Sequence, residues 1–385
     1  VAFLFAVTMG FASAPAPLYV FYVDEQGWGS FVITVVFATY GAGVAISLFL
    51  AGHLSDRFGR RRVVVPAVLL NVLSALIFLS THELGWLLLA RLLSGLGVGM
   101  LTATATAHLA ELHRRNRPEA STTRAEAVAT AANVGGLGLG PLVAGALAEW
   151  APQPLYTPYA VFAFLMVLGL LAVVAAPETV DTDQPDWAYR PQRVRVPADA
   201  RGAYFAAGMA SFVTFAMFGF FTSLVPSFLA EDLDMRSHAV AGVVGFSIFG
   251  AAALLQVLAG HWPRRRLYVA GLLALAAGLL LVVGGLLSAT FWVLVVGALV
   301  TGAGGGMSFK AAIATVISVA PEDSRGEALA GLFLMAYLGI TVPVVLLGVL
   351  LQYVATDPAM LAFGALLLVL LGIAARGVAG ARRTA

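Results

Sequence analysis

From Phe31 to Ala51 the chain carries no charged residue, and from Val63 to Ser80 it again carries none. At about 1.5 Å rise per residue, each run is long enough to cross a hydrocarbon core about 30 Å thick. Apolar runs of this kind recur at roughly 1–23, 30–54, 63–81, 84–111, 125–149, 156–176, 202–230, 238–262, 267–288, 290–318, 326–353 and 358–378. They predict an all-α integral membrane protein of about twelve transmembrane helices, because only helices satisfy their own backbone in lipid over such lengths. The dipeptide repeat "APAP" at 14–17 is expected to bend or break the first span.

Composition agrees with the pattern. Of 385 residues, 60% are hydrophobic and only 11% charged, with a mean hydropathy of +0.93. Soluble domains of this length need far more charge to cover their surfaces. The chain contains no Cys, which excludes disulfides, thiolate catalysis and Cys-ligated metal. It starts at Val1 inside an apolar run, so the natural N-terminus is expected to lie further upstream.

Charge placement orients the spans. One set of alternate loops holds Arg57, Arg60 to Arg62, Arg114, Arg115, Arg117, Arg124, Arg190, Arg193, Arg195, Arg201, Arg264 to Arg266, Arg325, Arg376, Arg382 and Arg383. The opposite loops hold Asp24, Glu25, Glu83, Glu149, Glu231, Asp232, Asp234 and Asp357, with Arg236 their only base. The positive-inside rule then predicts a multi-pass inner (plasma) membrane protein with both termini cytoplasmic.

The chain also repeats itself. "FLAGHLSDRFGRRRVVVPAVLL" (49–70) aligns with "VLAGHWPRRRLYVAGLLAL" (257–275), and "SGLGVGM" (94–100) with "TGAGGGM" (301–307). Pro141 then matches Pro343, and Asp24 matches Asp232. Two six-helix halves are expected, 1–176 and 201–385, joined by a Pro-rich charged linker at 177–200. Parallel repeats place a substrate site at their interface near the bilayer midplane.

Three short segments carry a family likeness. Gly52, Leu54, Asp56, Arg57, Gly59, Arg60 and Arg61 fit the pattern G-x-L-x-D-R-x-G-R-R between the second and third spans. Arg91 with Gly95, Gly97 and Gly99 fits a second pattern in the fourth span, where Ser94 replaces the usual Gln. "GLGLGPLVAG" (136–145) fits a Gly–Pro pattern in the fifth, with Ala144 in place of one Gly. The chain resembles the major facilitator superfamily of secondary transporters over its whole length, and the third pattern resembles its drug–proton antiporters.

That resemblance implies roles. Gly52, Asp56, Arg57, Gly59 and Arg60 would form a conformational latch, with Asp56 facing the start of the eleventh span near 321–329. Glu111, at the end of the fourth span, is the candidate partner of Arg60. A plainer reading makes the arginines of this loop topology signals only, but it does not explain an acid at Asp56. Gly136, Gly140, Pro141 and Gly145 would serve as a pivot or a seal, with ordinary close packing of small residues as the alternative.

The central cavity has its own candidates. Arg91, Gly95, Val98, Thr102 and Thr106 share a helix face, which would turn Arg91 and Thr102 toward a cavity unless Arg91 snorkels outward. Lys310 is the only Lys among 22 basic residues and lies within the tenth span. Two cations with no acid at their depth point to an anionic or electron-rich substrate. Tyr19, Tyr22, Phe215, Phe218 and Tyr337 are aromatic candidates for the wall, although core or lipid packing is the commoner fate of such residues. No Asp or Glu falls mid-span, so Asp24 and His108 are the candidates for protonation. The spacing of "HLAELH" (108–113) suits no zinc motif, and the Gly runs at 95–99 and 302–306 are not phosphate loops.

These readings predict a monomeric exporter of a small amphipathic molecule, exchanging it for protons by alternating access. No cofactor, metal, enzymatic activity or nucleic-acid partner is expected. A sugar or metabolite carrier of the same fold is the rival within transport, and a transport-inactive membrane sensor or scaffold the rival outside it.

Overall fold

The computed structural model describes residues 1–52, 54–117, 119, 123–180, 197, 200–321 and 325–380. Among them are 12 helices long and apolar enough to cross a membrane. The first six are α1 (Ala2–Gln26), α2 (Ser30–Ala51), α3 (Arg60–Ser80), α4 (Leu84–Asn116), α5 (Arg124–Trp150) and α6 (Thr157–Val174). The second six are α7 (Arg201–Ser223), α8 (His238–Leu258), α9 (Arg264–Leu287), α10 (Phe291–Val319), α11 (Arg325–Leu350) and α12 (Thr356–Arg376). No strand occurs among the described residues. Most of the segment expected as a linker, and residues 322–324 before α11, lie outside them.

Proline and glycine shape the interruptions. α1 stops at Ser13, passes through a 3₁₀ turn at Ala16–Leu18 with Pro15 and Pro17, and resumes at Tyr19–Gln26. The missing proline donors make that break the inexpensive place for the chain to bend. The seventh apolar run, read from sequence as one span, is split in two. α7 ends at Ser223 and a short helix, Val225–Glu231, restarts with Pro226 in its first turn. α5 contains a π-turn at Ala131–Gly135.

The core divides as the helices do. One large buried apolar cluster is built mainly from α1 to α6 and takes in Tyr337 and Ile340 of α11. A second is built from α7 to α12 and takes in Val134 of α5, and a small third one joins Tyr204 and Ala207 of α7 to Ala312 and Val316 of α10 and Ala328 and Leu332 of α11. α5 packs along α8, and α2 packs along α11, so these two pairs form the seams between the groups. Large apolar side chains such as Leu171, Leu273, Leu280 and Val369 face outward, as a lipid-facing surface requires. Trp86, Trp150, Trp292 and Tyr353 are exposed at the helix ends on the acidic side, where a membrane–water interface favours amphipathic rings.

Candidate functional site

The arginine-rich loop owes its shape to one glycine. Gly59 has φ of +98°, a conformation open to glycine and costly for other residues. Gly52 sits at φ −58°, an ordinary helical value that does not require glycine. Between them Asp56 and Arg57 lie on a short helix, Leu54–Phe58.

Arg60 is the hub of this loop. Its Nη2 donates to Glu111 Oε1 at 2.6 Å and its Nε to Oε2 at 3.1 Å, a two-point pairing of guanidinium and carboxylate. Its Nη1 donates to Ser55 Oγ at 2.7 Å and lies 2.6 Å from Asp56 Oδ1. The Arg60 side chain is 8% exposed, that of Glu111 20% and that of Asp56 66%. Arg60 and Glu111 therefore form a half-sheltered pair, while Asp56 is an outer arm. Of the stretch expected to face Asp56, residues 322–324 lie outside those described.

One residue of this cluster carried no sequence signal. Glu178, just after α6, accepts from the backbone N–H groups of Arg60 (2.9 Å) and Arg61 (3.0 Å), capping the start of α3 from 118 residues away. It also accepts from the N–H groups of Thr179 and Val180. Burial pushes its carboxyl up, but these four N–H donors outweigh that and hold it below the ordinary glutamate range. Thr179 Oγ1 donates to Glu111 Oε2 at 2.6 Å, and Arg115 donates to the Glu178 carbonyl. His108 is buried, with Nε2 3.2 Å from the Pro177 carbonyl. The start of the segment after α6 is thus fastened to α3 and α4, around a cavity of about 450 Å³ lined by Glu111, Arg114, Arg115 and Glu178 to Val180.

The α5 glycines face two ways. A methyl on Gly136 or Gly140 would run into the backbone of α1, at Ala6 and Gly10 respectively. A methyl on Gly145 would run into the His238 carbonyl and come within 3.1 Å of Gly242 Cα, both on α8. Pro141 also lies on the α8 face, where a methyl on Gly245 would meet its Cβ at 2.9 Å. The motif therefore binds α5 to its own group on one face and to the opposite group on the other.

Arg91, Tyr19 and Tyr22 were expected at a central cavity. The structure buries all three inside the α1–α6 core instead. Arg91 Nη1 donates to the Ala12 carbonyl at 2.8 Å, and the guanidinium lies 4.5 Å from the Tyr40 ring centroid and 5.8 Å from that of Phe37. The break in α1 and these two rings give the charge its surroundings. Thr102 is buried against α1, its Oγ1 donating to the Val98 carbonyl at 2.7 Å.

Lys310 is also engaged elsewhere. Its Nζ donates to the Gln256 carbonyl at 2.9 Å, in the last turn of α8, where a cation complements the helix dipole. The two charges sit on α4 and α10 with separate backbone partners.

The central aromatic candidates do come together. Phe215 lies 5.6 Å from Tyr337, 5.7 Å from Phe218 and 5.0 Å from Phe309, ring centre to ring centre. Phe309 meets Phe333 at 5.8 Å, and Phe218 meets Phe249 at 4.8 Å. Phe215 packs against both of the large buried clusters, so the rings stand where the two groups meet. Thr214 and Ser308 hydroxyls, 3.1 Å apart, add a small polar spot beside them.

On the acidic side, Asp24 is exposed near the end of α1. Nearby, Phe21 of α1 stacks on His238 of α8, and Glu149 of α5 accepts from Ser237 and from the first N–H groups of α8.

Comparison with known proteins finds a family match over nearly the whole chain. The sequence profile described as Major Facilitator Superfamily matches residues 1–198 and 207–382. Relatives are similar over shorter stretches. The arabinose-proton symporter of Bacillus subtilis is 31% identical over 91 residues, 24% of this chain and 20% of that protein. The bacillibactin exporter of the same organism is 27% identical over 126 residues, 31% of each. The multidrug resistance protein MdtL of Escherichia coli is 38% identical over 76 residues, 20% of this chain and 19% of MdtL. Each match thus spans less than a third of the relative's length. The crystal structure of the nucleoside transporter NupG (D323A mutant) is similar in fold, with a TM-score of 0.75 at 12% identity, covering 98% of both chains.

Proposed function

The chain belongs to the major facilitator superfamily, and from that premise we propose that it exports a small amphipathic molecule in exchange for protons. Transport proceeds by alternating access of two six-helix halves, 1–176 and 201–385, joined through residues 177–200. The arginine-rich face lies in the cytoplasm with both termini, and the protein works as a monomer in the inner membrane.

The observation that carries this reading is the contact of Pro141 and Gly145 with α8. A Gly–Pro helix that packs backbone to backbone on the opposite half can act as the pivot or seal of an exporter. The multidrug resistance protein and the bacillibactin exporter among the relatives point the same way. The rings around Phe215 suit an amphipathic substrate better than a sugar, whose hydroxyls need a denser polar lining. On the arginine face, Arg60 with Glu111, Asp56 and Glu178 forms the latch that holds one half ready for the swing.

A sugar or nucleoside carrier is the second reading, favoured by the arabinose-proton symporter and by the fold of NupG. Proteoliposomes with an imposed pH gradient, tested against lipophilic drugs and against pentoses and nucleosides, decide between them. Proton-driven movement of the drugs alone supports export of amphipathic molecules, and movement of the sugars alone sinks it.

A further inference from the structure

We propose that His238 is a proton-sensitive catch between the halves, such that acid on the acidic side charges its imidazole and favours parting of the halves there. This rests on the reading that the halves move apart at that end during transport.

His238 opens α8, yet its ring is held from the other half. The Phe21 ring of α1 stacks on it at 4.0 Å and 9°. Glu149 Oε2 of α5 accepts from His238 N at 2.8 Å, from Ser237 Oγ at 3.1 Å and from Ala239 N at 3.4 Å, and lies 3.8 Å from Nδ1. Parting the halves breaks every one of these contacts together.

The closed catch is a poor home for an imidazolium. A charged ring carries an N–H on both nitrogens. Nε2 is buried with no hydrogen-bond partner, and Glu149 Oε2 is beyond bonding range of Nδ1 and already shared among three donors. The ring also stands at the positive end of the α8 dipole. Against this, Glu149 and Asp24 attract a positive ring, but Asp24 is exposed and solvent screens it. When the halves part, both N–H groups reach water and the cost disappears.

Other titratable groups share this end of the seam. Burial, then Asp232 and Asp24, hold the Glu231 carboxyl above its ordinary range. Burial and Asp357 do the same for Asp232. Arg236 lies 3.9 Å from Asp234, both well exposed. The test must therefore separate His238 from these acids.

The 385 residues hold no Cys, which makes site-directed labelling direct. Gln26→Cys in the first half and Gln352→Cys in the second place two exposed, uncharged positions on either side of the seam at its acidic end. Spin labels there are read by double electron–electron resonance in nanodiscs at about pH 8 and about pH 6, a window that imidazole titration spans. The long-distance population should rise about fivefold relative to the short one on acidification, as a modest coupling free energy allows. His238→Phe keeps the ring stack and should remove the response, and His238→Gln repeats the comparison with a smaller side chain. A response that persists in both variants assigns it to Glu231 and Asp232 and overturns the proposal, as does a parent protein with none. The distances need no substrate, so a pH response in a protein that moves nothing in proteoliposomes would refute transport while leaving the catch intact.

Discussion

Gly145 of α5 and Gly242 of α8 meet backbone to backbone, with no room for a methyl between them. Because this contact joins the two helix groups, Gly145→Val should slow transport strongly. Overpacking of this kind costs about 1–3 kcal/mol in a tightly packed site, and here it falls on the seam, not on one bundle. Gly135→Val is the control, since nothing lies within 4 Å of the added carbon. Transport rates and thermal unfolding of both variants check this; equal rates would remove close approach from the account.

The Arg60 cluster predicts a graded result. Arg60→Ala strands Glu111, and removing one partner of a sheltered ion pair costs about 3–5 kcal/mol when burial is complete, less here because Glu111 keeps some solvent. Asp56→Asn removes only an exposed arm and should leave the unfolding temperature nearly unchanged while slowing turnover. A double-mutant cycle of Arg60→Ala and Glu111→Gln, read by thermal unfolding, should show strong non-additivity. Additive losses would mean the pair is not coupled.

Glu178 predicts a pH dependence with a definite sign. Its folded carboxyl is held below the ordinary range, so its contribution is present above the unfolded value and is lost as pH falls through the folded one. Acidification below about pH 4 should therefore release the segment after α6 from α3. Glu178→Gln should show the released state at neutral pH, read as faster proteolysis after residue 178. Protection unchanged in Glu178→Gln would contradict the clasp.

Much of this was legible in the sequence, and the failures share a cause. The spans could be read because lipid leaves a helix no choice but about 20 apolar residues. The Arg60–Glu111 contact was legible because the family resemblance called for an acid at that end of the fourth span, and Glu111 stands there. Arg91 was assigned to a cavity from its helical face, but a face in a twelve-helix protein can point to lipid, to a central space or into its own bundle. Lys310 binds a backbone carbonyl, and carbonyls leave no mark in a sequence. Glu178 caps a helix 118 residues away, beyond any local capping pattern.

Lys310 and Phe215 now separate stability from substrate binding. Lys310→Met should lower the unfolding temperature by removing a charged cap, worth about 0.3–1 kcal/mol at a helix terminus, and leave KM unchanged. Phe215→Ala should raise KM for an amphipathic substrate, because its ring stands between the two large packed clusters. Anionic analogues that lose affinity in Lys310→Met would restore a direct substrate role for the lysine.

The central claim is proton-driven export through a seam built by α5 and α8. Its most direct test is purified protein in proteoliposomes, with an amphipathic fluorescent substrate and an imposed pH gradient, comparing the parent chain with Gly145→Val. We predict substrate movement against the direction of proton flow, abolished by collapsing the gradient and much reduced in the variant. Movement with the protons, or movement indifferent to the gradient and to Gly145→Val, would contradict it.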